Sequence, residues 1–146
     1  MSFFTRPVAA AAATEFPTEA RPVLIALVDD DEAILRALAR LLRGAGLGAR
    51  TFTSGEQLME RLDALPKFAP DCVILDLCLA GASGLEIHER LARRRRRVPV
   101  IFMTGYDEST GRARALGAGA AAVLRKPFRS ELLFEALATA MGPSRS

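Results

Sequence analysis

Five short strand-like runs set the frame for this chain, at residues 23–28, 48–53, 72–75, 98–103 and 120–124. None is long enough to be a helix. The continuously apolar ones, Val23 to Val28 and Cys72 to Leu75, suit strands covered on both faces. The segments between them have helical spacing instead. Ile34, Leu35, Leu38, Leu41 and Leu42 predict a helix that Gly44 and Gly46 end. Ser54-Gly55-Glu56-Gln57 has the spacing of a capping box, with Leu58, Met59 and Leu62 on the buried face of the helix it opens, and Ser83-Gly84-Leu85-Glu86 has the same spacing. A weaker helix is predicted over 107–117, because Gly111 costs about 1 kcal/mol relative to alanine. Leu133, Leu137 and Met141 mark a last helix that Ser130 would cap. Strands and helices in strict alternation predict an α/β fold, a parallel sheet with helices on both faces and right-handed crossovers.

The length of 146 residues is that of one domain, and half of the residues are hydrophobic, enough to bury a core. The net charge is +3, but the run Arg93 to Arg97 supplies five positive charges, and without it the chain would be net negative. That run has no interleaved aromatic residues, so a solvated helix C-terminus is a better reading than nucleic-acid contact. Residues 1–22, with the alanine run Ala9 to Ala13, read as a flexible tail without the pattern of a signal peptide. No run of 18 apolar residues could span a membrane. Cys72 and Cys78 have no metal spacing, and a reduced, cytoplasmic setting is expected.

In open parallel sheets, function collects where the strands end at their carboxyl side. Asp29 and Asp30 follow the first run, Asp76 the third, Thr104 the fourth, and Lys126 with Pro127 the fifth. Three carboxylates would therefore share one edge with a hydroxyl and an ammonium. Two carboxylates about 4 Å apart repel by roughly 4 kcal/mol at an effective dielectric of 20, so neutralisation is required. Lys126 offsets one charge, and a hard divalent cation that accepts all-oxygen ligands, such as magnesium, offsets two more. These are parts for holding a phosphoryl group. Helix capping is the competing explanation of such acids. It suits Asp31 and Glu32, while Asp76 between Leu75 and Leu77 is costly to bury unless paired.

Four stretches carry a family resemblance: Leu27-Val28-Asp29-Asp30-Asp31, Val73-Ile74-Leu75-Asp76-Leu77 followed by Ser83-Gly84, Ile101-Phe102-Met103-Thr104-Gly105, and Lys126-Pro127-Phe128. In order and at this spacing the chain resembles the receiver domain of two-component response regulators over residues 23–141, with 142–146 as a short C-terminal tail. The wording from Phe102 to Tyr106 is most similar to receivers of nitrogen-fixation-type regulators. The resemblance implies a flavodoxin-like, doubly wound five-stranded sheet in the order 2-1-3-4-5 with five helices. It implies Asp76 as phosphoacceptor from a sensor histidine kinase. Asp29, Asp30, Asp76 and the backbone carbonyl of Cys78 would be the Mg2+ ligands, with Lys126 and Thr104 on phosphoryl oxygens. A single-domain regulator is expected, not an enzyme, signalling through protein contacts on the last two helices and fifth strand, with no direct DNA binding.

The chain departs from the family pattern at three places. Ala80 stands where proline is usual. Cys78 and Tyr106 flank the site without an acid or amide to orient water, so a long-lived phosphoryl group is expected. Val123 stands where an aromatic residue is usual, which puts the customary output switch in question and keeps open a phosphorylation-independent binding module. A receiver cut from a transcriptional regulator is a further alternative. A magnesium-dependent phosphatase would want a second aspartate at the position of Cys78. His88, the single histidine, reads as a surface residue.

Overall fold

The computed structural model describes residues 22–94, 97–105 and 109–142. The expected tails, save Pro22 and Gly142, lie outside the described residues, as does Tyr106. Five strands form one parallel sheet in the order β2-β1-β3-β4-β5: β1 (Leu24–Val28), β2 (Gly48–Phe52), β3 (Cys72–Asp76), β4 (Val100–Thr104) and β5 (Ala122–Arg125). The helices between and after them are α1 (Glu32–Gly44), α2 (Gly55–Ala64), α3 (Gly84–Ala92), α4 (Ser109–Gly117) and α5 (Ser130–Ala140). The flavodoxin-like order inferred from the sequence is the order found.

The strand period of two divides the core. Ile25, Leu27, Cys72, Ile74, Ile101 and Met103 pack with Leu35, Leu38 and Leu42 of α1 and with Leu133 and Leu137 of α5. Their strand neighbours Ala26, Val28, Val73, Leu75, Val100 and Phe102 face the other way, onto Leu58 and Met59 of α2, Ile87 and Leu91 of α3, and Ala115 of α4. This two-sided burial is why the strand runs are continuously apolar.

Local chemistry explains the element ends. Asp31 caps α1, its carboxylate accepting from the backbone N–H groups of Ala33 and Ile34, as its sequence position suggested. The helix closes with the Leu47 N–H donating to the Leu42 carbonyl across Gly46, whose φ of 90° glycine adopts without penalty. Ser83 and Glu86 form the full capping box of α3. The Ser54 box is only half formed: the Ser54 hydroxyl accepts from Gln57 N–H, but the Gln57 side chain accepts from Thr53 N–H instead of returning to the cap. That bond, and one from the Arg43 guanidinium to the Ala49 carbonyl at 2.7 Å, occupy groups on the outer side of edge strand β2.

Four expectations need correction. The fourth strand begins at Val100 rather than Val98, and Pro99 lies before it with its carbonyl accepting from Val73 N–H. The fifth is Ala122–Arg125 rather than residues 120–124. Ser130 is the first residue of α5, not its cap; Arg129 holds that place without a side-chain bond. His88 is buried, 9% exposed, with its ring edge-on to Phe102 at 5.4 Å. An imidazole on an apolar helix face is amphipathic enough to pack there.

Pairing register aligns Val28, Leu75, Phe102 and Val123 in one row across four strands. Asp29 and Asp76 lie one residue beyond that row, Thr104 two and Lys126 three. At the same end α3 comes so close to β3 that a Cβ on Gly84 would stand 2.5 Å from the Asp76 carbonyl oxygen and 2.9 Å from Leu77 Cα. Gly84→Ala must therefore move backbone, and is expected to lose about 2 kcal/mol, measured as a lower urea midpoint at unchanged slope. Gly44→Ala, whose Cβ would meet nothing within 4 Å, is the matched control expected to hold its midpoint.

Candidate functional site

Each side chain of the site is delivered by a strand end. Asp29 leaves β1 fully buried, Asp76 ends β3 at 5% exposure, and Thr104 ends β4 at 2%. Asp30 is exposed. Lys126 follows β5, and its backbone N–H donates to the Thr104 carbonyl at 2.8 Å, which locks the two loops together.

Buried carboxylates need donors, and these have them. The Asp29 Oδ1 accepts from Asp31 N–H at 2.8 Å and its Oδ2 from Lys126 Nζ at 3.0 Å. The Asp76 Oδ1 accepts from Cys78 N–H at 3.1 Å and its Oδ2 from Lys126 Nζ at 3.4 Å. One ammonium thus bridges carboxylates from two strands. Asp29, Asp30 and Asp76 each offer an oxygen within 4.8 Å of the others. Three carboxylates against one ammonium leave two negative charges, and an all-oxygen set of this charge fits a hard divalent cation. The Thr104 hydroxyl has no hydrogen-bond partner among the described residues.

The carboxylates of Asp29, Asp30 and Asp76 and the Lys126 ammonium meet at this one edge, Thr104 ends the neighbouring strand β4, and the Cys78 backbone reaches the cluster through its N–H. Other features singled out in the sequence lie elsewhere. Cys72 is buried in β3, and the Cys78 residue is exposed. Arg93 is the C-cap of α3 and faces Glu89 at 3.9 Å, while Arg94 pairs with Asp63 at 2.7 Å. Arg95 and Arg96 lie outside the described residues. Sequence reasoning missed two carboxylates that hold backbone. Asp71 accepts from Leu24 N–H at 2.8 Å, and Glu56 from Ala82 N–H at 3.1 Å. Neither has a local sequence signal, since the bonds span 47 and 26 residues. Among the described residues no helix is long and apolar enough to cross a membrane.

The family model of the response regulator receiver domain matches residues 25–138. Response regulator protein TmoT of Ectopseudomonas mendocina is 36% identical over 118 residues, which cover 81% of this chain and 52% of that protein. Transcriptional regulatory protein FixJ of Azorhizobium caulinodans is 34% identical over 126 residues, 86% of this chain and 57% of that one. The chain spans about half the length of the curated relatives it matches. A response regulator receiver protein from Burkholderia phymatum has a solved structure that superposes with a TM-score of 0.76 at 44% identity, covering 82% of this chain and 95% of that one.

The charges act on one another. Burial raises the Asp76 carboxyl above the ordinary aspartate value and the neighbouring Asp29 charge raises it further, outweighing the Cys78 N–H and Lys126, which lower it. Burial pulls the Lys126 ammonium down, but its bond to Asp29 and the charges of Asp76 and Asp29 outweigh this and raise it. A carboxyl that binds its proton more tightly folded than unfolded stabilises the fold less once ionised. The penalty is absent below the unfolded aspartate value near 3.8 and grows as pH rises through the raised folded value. Asp76→Asn removes it. In thermal melts without divalent cations, this variant is expected to gain a few degrees at about pH 7, the gain shrinking as pH is lowered towards about 4. A melting temperature below wild type at neutral pH would contradict the assignment.

Proposed function

The chain belongs to the response regulator receiver domains of two-component signalling, and on that premise we propose that it accepts a phosphoryl group on Asp76 from the phosphohistidine of a sensor histidine kinase. A carboxylate oxygen of Asp76 attacks phosphorus, the phosphorus–nitrogen bond breaks, and the imidazole leaves with the electron pair. The product is an aspartyl phosphate. The observation that carries this reading is the buried Asp76 carboxylate held beside Asp29 by the shared Lys126 ammonium, with Thr104, whose hydroxyl has no hydrogen-bond partner among the described residues, at the end of the neighbouring strand β4.

Asp29, Asp30 and Asp76, with the Cys78 carbonyl, are proposed to hold Mg2+, which when bound supplies charge to offset the incoming phosphoryl oxygens. Asp29 fixes the Lys126 ammonium, which remains charged to meet a phosphoryl oxygen. Thr104 donates its hydroxyl to another. Neither Cys78 nor Tyr106 supplies an acid or amide to orient water for hydrolysis, so the phosphoryl group is long-lived. The protein is proposed to be a cytoplasmic switch and not an enzyme with a foreign substrate, and no direct contact with DNA is proposed for the described residues.

Output is proposed to pass through protein contacts on α4, β5 and α5. Leu116 on α4 and Leu132 on α5 are 46% and 47% exposed, two large apolar side chains on that surface. Coverage of only about half of the relatives favours a second reading, in which this is the receiver part of a transcriptional regulator.

Incubation with Mg2+ and a small acyl-phosphate donor is expected to add one phosphoryl group, located at Asp76 by peptide mass spectrometry and retained far beyond seconds. Asp76→Asn should remain unlabelled, and Lys126→Met should label about a hundredfold more slowly. An unlabelled wild type would favour a phosphorylation-independent binding module. Steady turnover of a foreign phosphoester would favour an enzyme.

A further inference from the structure

Between β3 and α3 the chain forms a loop, residues 77–83, that carries Cys78 at the site. Its base is closed by Gly84 N–H donating to the Leu77 carbonyl at 3.1 Å. Its far side is held by two carboxylates. Glu86 accepts from Ser83 N–H at 2.9 Å as part of the α3 cap. Glu56, in the first turn of α2, accepts from Ala82 N–H at 3.1 Å. The loop is also shaped for that second contact. Gly81 has a φ of 81°, and a Cβ there would lie 3.3 Å from the Glu56 carboxylate. The backbone N–H groups of Glu56 itself and of Ala82 hold the Glu56 carboxyl below the ordinary range, with the Arg90 charge adding to the effect. Glu56 is therefore a charged acceptor at neutral pH, and a charged acceptor makes the stronger hydrogen bond.

Nearer β3 the loop is held by Leu77 N–H donating to the Met103 carbonyl at 2.9 Å and by Cys78 N–H on Asp76, and Leu79 and Ala82 pack against the core, so the Glu56 bond adds a hold on its far side. Ala80 lacks the fixed φ that a proline would give. We propose that Glu56 is a positioning residue for the metal and phosphoryl site: from α2 it tethers loop 77–83 and so sets where the Cys78 carbonyl and N–H stand. The inference rests on the metal-site reading above. Its physical basis is that a donor set loses affinity when the groups fixing its backbone are removed, even though they never touch the ion.

The test is a calorimetric Mg2+ titration of the full chain as wild type, Glu56→Gln and Glu56→Ala, with amide exchange at Ala82 followed in parallel. Glu56→Ala is expected to weaken Mg2+ binding about three- to tenfold, the effect of one lost hydrogen bond, and to speed Ala82 exchange. Glu56→Gln keeps an acceptor oxygen and is expected to stay within about twofold of wild type. Acyl-phosphate labelling of Glu56→Ala should be slowed at low Mg2+ and restored at saturating Mg2+. Faster Ala82 exchange with unchanged Mg2+ affinity overturns the proposal, because Glu56 would then only hold the loop. Equal losses in the glutamine and alanine variants also overturn it, because charge rather than the tether would be acting. A wild type that binds no Mg2+ overturns the metal-site reading itself.

Discussion

The Lys126 ammonium between Asp29 and Asp76 is the contact on which the rest of this edge depends. Those two carboxylate side chains are 1% and 7% exposed, and the lysine reaches both from a third strand. Without it, two charges about 4 Å apart would oppose each other by roughly 4 kcal/mol at an effective dielectric of 20, besides losing their donors. With it the cluster still carries an excess of two negative charges, since Asp30 joins from the solvent side. The fold therefore leaves the site short of positive charge, a deficit that a hard divalent cation would offset. Asp31 and Glu32 add nothing to the deficit; their work is at the start of α1.

Convergence of the four strand ends follows from register. Once Val28, Leu75, Phe102 and Val123 lie in one row, the residues just beyond it must meet at one edge. The row is fixed by packing, because both faces are buried and shifting a strand by one residue would send each side chain into the opposite layer, among neighbours of other sizes and shapes. Core packing and site assembly are in this sense one constraint. The close approach of α3 extends it: Gly84 lies on the Asp76 carbonyl, so the helix that packs Ile87 and Leu91 under the sheet also limits where the end of β3 can go.

Much of this was legible in the chain alone. The runs from Val23 to Val28 and Cys72 to Leu75 stand out because both faces of each strand are covered, and residues at strand ends are predictable once the strands are. Asp29, Asp76, Thr104 and Lys126 were found in that way. Boundaries were less legible where a strand runs straight into a loop of similar composition: Val98 and Ala120 are apolar and packed against the core, yet lie outside the ladder. Ser130 has the right chemistry for a cap but stands one residue late. His88 was misread because one polar residue on a helix says nothing of what faces it across 14 residues of chain; only the fold supplies Phe102. Glu56 and Asp71 were invisible for the same reason, since their partners are distant backbone groups that any residue could offer.

Val123 shows how far the edge can differ from its family while keeping its charges. It is 9% exposed and pairs in the sheet with Phe102, whose ring also meets His88 at 5.4 Å. A valine so placed has one stiff torsion and too short a reach to trade a buried for an exposed position. Any displacement at Thr104 must therefore reach β5 by another path. The backbone provides one: the Thr104 carbonyl is bonded to Lys126 N–H, and three residues earlier on the same strand the Val123 carbonyl accepts from the Arg112 guanidinium of α4 at 3.4 Å. Bonds to two carbonyl groups thus join the end of β4 to Lys126 beyond β5, and β5 to the Arg112 side chain of α4, with no ring between them. Both bonds depend on the pairing of β4 with β5, in which Phe102 faces Val123 and Thr104 faces Arg125.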